Sequence, residues 1–254
     1  MPLANWRIVL AIVLSLLLTT VSADIARLVP LPALLDGVIY AHSGLSYLID
    51  IAGFVLLLVL VGGVSLSGQW RVSGLGQPWQ PALLMGLLLF APIAIVGLAL
   101  GEPATDLSVQ STLFLGVLAP FAEEVTFRGL AVGGLMALAG WRFWPAVLLP
   151  ALVFGLGHAA QGDNLMEMAG VVAITAVGSI FFSWIYLRFD RNLWPAIVMH
   201  IGMNTVWNAF DLGENAIGGV LGNGLRLAAV LGAVAFALWG RDWLMRVTRS
   251  AAYD

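Results

Sequence analysis

The sequence predicts an all-α, polytopic integral membrane fold, with about eight transmembrane helices around a polar intramembrane cavity. Three observations carry this expectation. Of 254 residues, 61% are hydrophobic and only 10% charged, where soluble domains carry roughly 25% charged residues. Runs close to the ~20 apolar residues that a spanning helix needs recur along the whole chain. Two adjacent carboxylates, an arginine and two histidines interrupt those runs at helical spacings. The mean hydropathy of +0.98 agrees.

Taken in order, the runs are 6–22, 47–67, 81–100, 112–139, 143–159, 165–187, 192–211 and 218–239. The first, with Arg7 before it and small residues at its end, has the outline of a signal peptide. It reads here as a retained first span. The run 112–139 is overlong and contains Pro120, which predicts a break into a lead-in segment and a helix starting near Phe121. A re-entrant segment near 213–223 is the alternative to a full last span. With no repeat, low-complexity tract or long linker, residues 1–254 form one membrane domain.

Charge placement gives the orientation. With the N-terminus in the cytoplasm, Arg7, Arg71, Arg142, Arg188, Arg191, Arg241, Arg246 and Arg249 all fall inside, and Asp24, Asp36, Glu102, Asp106, Asp163 and Glu214 fall outside. This is the positive-inside bias, with both termini cytoplasmic, in what reads as a bacterial inner (plasma) membrane. Arg128 lies at membrane depth, and Arg226 either snorkels outward or pairs with Glu214. The net charge of -3 and the lack of any basic run exclude a nucleic-acid partner, and the lack of cysteine removes disulfides, thiolate metal sites and Cys nucleophiles.

The stretch FAEEVTFRGL, residues 121–130, sets Glu123, Glu124 and Arg128 where a charge costs about 2.5–3.5 kcal/mol to insert. Glu124 and Arg128 are four apart, so they share a helix face and can pair. Glu123 is turned about 100° away from that partner. A purely structural polar knot would explain the three residues alone. Two histidines in other apolar runs, His158 in FGLGHAA and His200 in IVMHIGMN, weigh against it. Asn204 follows His200 by four residues, and Asn208 and Asp211 continue its polar stripe. His42, in YAHSG, reads as unremarkable surface on a loop. Phe154, one turn before His158, reads as core.

A glutamate with a histidine can hold and deprotonate a water. A second histidine with an asparagine can donate hydrogen bonds to a developing oxyanion. Alternatively Glu123, His158 and His200 can ligate a zinc with an open position. Other intramembrane hydrolase motifs are missing, including HExxH, G-x-S-G and G-x-G-D.

Glu123 to Arg128 (EEVTFR) resembles the E-E-x-x-x-R motif of the CPBP family of CAAX proteases and bacteriocin-processing enzymes, also called Abi proteins. Phe154 to His158 (FGLGH) is similar to its F-x-x-x-H motif and His200 to Asn204 (HIGMN) to its H-x-x-x-N motif, in the same order, over roughly residues 110–212. The resemblance implies an intramembrane endopeptidase acting on membrane-associated, including prenylated, polypeptides. It implies that Glu123 is the base with His158 helping to hold the water, that His200 and Asn204 form the oxyanion site, and that Arg128 and Glu124 support the helix. Both a zinc and a metal-free glutamate mechanism are compatible with it. Two readings from other classes use the same cavity: a non-catalytic binding or immunity partner, and a proton-coupled small-solute transporter.

Overall fold

Each expected apolar run is helical over most of its described residues. The structure, a computed structural model, describes residues 3–101, 103–104, 107–210 and 219–250. Glu102, Asp106, Asp211 and Glu214, named above, lie outside the described residues. The helices are α1 (Leu3–Thr19), α2 (Ser22–Leu28), α3 (Ala41–Leu60), α4 (Leu66–Ser73), α5 (Gln80–Leu100), α6 (Val109–Leu113), α7 (Ala119–Glu123), α8 (Gly133–Ala137), α9 (Phe143–Gly157), α10 (Leu165–Arg188), α11 (Trp194–Ala209), α12 (Val220–Ala235) and α13 (Arg241–Ser250). No strand is present among the described residues, which carry one isolated bridge between Pro103 and Phe210.

Among the described residues, five helical segments are long and apolar enough to cross a membrane: 41–60, 80–100, 143–161, 165–188 and 220–248. The pair 5–19 and 22–28, bent by 57°, makes up to six. The protein is thus polytopic and integral to the membrane. The other two expected runs are helical without meeting that measure. One is α11, at 16 residues. The other is 109–137, where α6, α7 and α8 are joined end to end by π-helical segments, Phe114–Leu118 and Glu124–Val132.

The expected break at Pro120 does not occur. Proline lacks an N–H and clashes with the carbonyl four residues back in a regular helix. Here the turn before it is widened to the π register, in which Ala119 N–H bonds Phe114 O. The run therefore continues through the proline. His42 also differs from expectation: it sits in the first turn of α3, exposed, with Nε2 3.3 Å from Val29 O.

Two apolar clusters flank α11. One joins α1, α3, the Glu123 region and α9 through Ile12, Leu16, Phe54, Val125 and Phe154; the other joins α5, α10 and α12 through Met85, Phe90, Phe182 and Ala229. On α11, Ile197 enters the first and Met199 the second. His200 lies between them, and α11 cannot shift without disturbing both. Its N-terminal end is fixed as well. Asn192 Nδ2 donates to Pro78 O at 2.8 Å and Trp194 Nε1 donates to Leu75 O at 3.1 Å. Gly74, at φ 78, lets the backbone around Arg191 and Leu193 come close enough that a Cβ would collide with it.

Candidate active site

Glu123, the last residue of α7, is 9% exposed, while Glu124 and Arg128, in the following π segment, are fully buried. Glu124 and Arg128 do pair: Arg128 Nη1 is 3.1 Å from Glu124 Oε1. The same oxygen lies 2.8 Å from His200 Nδ1. A carboxylate oxygen accepts, so Nδ1 is the protonated nitrogen of that ring and Nε2 is left facing elsewhere. It faces Glu123, with Oε2 3.8 Å away.

Glu123 is not the partnerless group that its helical position predicts. Tyr47, on α3, donates its hydroxyl to Oε1 at 2.6 Å. The two carboxylate oxygens therefore differ: one is held by a phenol and the other looks toward an imidazole.

His158 caps α9, half-buried, with Nδ1 2.7 Å from Phe154 O. A carbonyl only accepts, so this ring also carries its hydrogen on Nδ1 and presents a bare Nε2. His158 does not come within ion-pair distance of Glu123; His200 does. His200 is thus the histidine whose ring stands next to Glu123.

The two histidines are nevertheless linked. The His158 ring lies 4.5 Å from that of Phe154, whose ring faces the Arg128 guanidinium at 4.5 Å. Arg128 also lies 5.5 Å from Phe182, which stacks on His200 at 5.1 Å and 18°. Ring faces carry negative potential and suit a guanidinium that is out of water. This matters because Arg128 Nε, Nη1 and Nη2 have no hydrogen-bond partner among the described residues. Phe154 is core, as read from sequence, and also a contact to His158. Phe182 has no sequence signal that would have drawn attention to it.

Asn204 donates Nδ2 to Leu115 O at 3.0 Å, and Thr205 Oγ1 lies 3.5 Å from Gly116 O. Asn204 is thus tied to the Glu123 run, with a second N–H on the same nitrogen. Arg226, left open between two readings, faces the Trp207 ring at 5.3 Å and donates to Asn223 Oδ1 at 3.1 Å.

Zinc requires three protein donors with an open fourth position. Among the described residues no group of three His, Asp or Glu side chains is assembled to hold a metal ion. Of the expected trio, Glu123 Oε2 and His200 Nε2 lie 3.8 Å apart, and His158 bonds Phe154 O through Nδ1, which leaves its Nε2 unengaged by that bond. As placed, the expected trio does not gather around one point.

A family profile described as Rce1-like, "Type II CAAX prenyl endopeptidase Rce1-like", matches residues 105–206. The resemblance to the CPBP family is borne out. The matched segment includes all three motifs, from Glu123 to Asn204. An "Uncharacterized 24.3 kDa protein" of Escherichia coli is 26% identical over 166 residues, covering 57% of this chain and 74% of that protein. No solved structure matches. Tyr47 lies outside the matched segment, so the Glu123 environment is completed by a helix that the family match does not reach.

Proposed function

We propose that the protein is an intramembrane endopeptidase in which Glu123 activates a water for attack on a peptide carbonyl. The observation that carries this reading is the pairing of Glu123 Oε2 with His200 Nε2 at 3.8 Å inside a bundle of apolar helices. That separation is too long for a direct hydrogen bond. It suits a water that donates one hydrogen to each group and turns a lone pair outward.

In the proposed reaction the water oxygen bonds the carbonyl carbon as one of its protons passes to Glu123 Oε2. The negative charge develops on the carbonyl oxygen, where the second Nδ2 hydrogen of Asn204 serves as donor. As the C–N bond breaks, Glu123 returns its proton to the leaving amine. The water oxygen ends in the new carboxyl group. His200 is held for this by Glu124, and Glu124 is neutralised by Arg128. His158, reaching the same residues through Phe154 and Arg128, contributes its Nε2 as a further acceptor.

The family profile supports one substrate class: the C-terminal region of a membrane-associated polypeptide, with prenylated CAAX-type sequences as the first candidates. The arginine distribution supports placement in a bacterial inner membrane with both ends cytoplasmic. The test uses purified protein in proteoliposomes with CAAX-type reporter peptides, prenylated and unprenylated, in ¹⁸O-labelled water. Cleavage with one ¹⁸O in the new carboxyl is expected. Peptide binding or solute uptake without cleavage would support a binding partner or a transporter instead.

A further inference from the structure

We propose that Tyr47 is a positioning residue for the Glu123 carboxylate, so that α3 is a working part of the hydrolytic site. The inference rests on the reading of Glu123 as the base. It concerns which of its two oxygens does the work.

A carboxylate has two equivalent oxygens, and its terminal torsion is broad and two-fold. Either oxygen can face the water unless something distinguishes them. Tyr47 does so: its hydroxyl donates to Oε1 at 2.6 Å, a charge-assisted bond of the short kind. Oε2 is then the oxygen that stays directed at His200 Nε2.

The phenol is itself held. Its ring lies 5.9 Å from Phe114, and Phe114 stacks on Tyr40 at 4.7 Å and 2°. Phe114 belongs to the π segment just ahead of α7, so the ring that steadies Tyr47 and the carboxylate it binds are on one continuous helical run. The contact bridges 76 positions in sequence and joins α3 directly to α7.

The chemical consequence is continuity of the proton. With Oε1 engaged by the Tyr47 hydroxyl, the proton from water arrives on Oε2 and leaves from Oε2, without rotation of the carboxyl between the two steps. Tyr47 neither gains nor loses a proton in this scheme; it donates the same hydrogen bond throughout.

Tyr47→Phe is the decisive variant, because it keeps the ring against Phe114 and removes only the hydroxyl. Cleavage of the reporter peptide in proteoliposomes should fall in kcat by about ten- to a hundredfold, as expected for loss of a hydrogen bond to a charged group. KM should stay within about twofold, and the melting temperature in detergent should be close to that of the wild type. A wild-type kcat in Tyr47→Phe overturns the proposal, and so does a change confined to KM. Glu123→Gln, measured beside it, separates the two claims. If Glu123→Gln is inactive and Tyr47→Phe is as fast as wild type, Tyr47 is a packing residue and Glu123 remains the base. If Glu123→Gln still cleaves, the reading of the base fails and Tyr47's role fails with it.

Discussion

Asn204 donates through Nδ2 to the carbonyl oxygen of Leu115, at 3.0 Å. In the π register set by the bond from Ala119 N–H to Phe114 O, the next donor in line for Leu115 O is residue 120. That residue is proline and has no N–H. A side chain from α11 therefore takes over a backbone bond that the Glu123 run cannot make for itself. Thr205, next along α11, approaches the neighbouring Gly116 carbonyl, where a Cβ on Gly116 would stand 3.0 Å from Thr205 Oγ1. The proline thus ties the helix of the acid to the helix of His200, and it fixes their relative height.

Asn204→Leu should consequently destabilise the protein by about 0.5–1.5 kcal/mol, the net contribution of one hydrogen bond. Pro120→Ala returns the missing donor to the run. In the double variant the loss from Asn204→Leu should be smaller than in the wild-type background, read as a positive coupling in unfolding measurements. Additive effects would mean that the Leu115 bond and the proline are unrelated.

Glu124 and Arg128 give a second test. Arg128→Met alone leaves a fully buried carboxylate without its cation and should cost about 3–5 kcal/mol, seen as poor recovery of folded protein. Replacing both, Glu124→Leu with Arg128→Met, leaves no unpaired charge and should restore much of that recovery. Cleavage should not return, because His200 Nδ1 loses the acceptor that aims its ring. A double variant that folds and cleaves at the wild-type rate would show that Glu124 does not orient His200.

Much of this was legible in the chain because its background is so apolar. Charged and imidazole groups in runs of Leu, Val and Ala stand out, and their spacing put Glu124 with Arg128 and His200 with Asn204 on shared faces. What the spacing could not show was any relation across helices. Tyr47 begins an apolar run like an ordinary interfacial tyrosine, and nothing local marks it as the partner of a residue 76 positions away. Phe182 is one of two adjacent phenylalanines in α10, and only packing shows which of them stacks on His200. At Pro120 local rules predict a break, whereas a π turn with borrowed donors keeps the run helical. The bond from His158 Nδ1 to its own Phe154 carbonyl likewise shows only in the structure.

The most direct measurement of the central claim is the cleavage rate of Glu123→Gln beside the wild type, on the same reporter peptide and in the same proteoliposomes. Glutamine keeps the shape and can still accept from Tyr47, but it cannot take a proton from water. The account predicts a fall in kcat of about 10²–10⁴, the usual contribution of a positioned base, with melting behaviour unchanged. A Glu123→Gln protein that is folded and cleaves at close to the wild-type rate would contradict it.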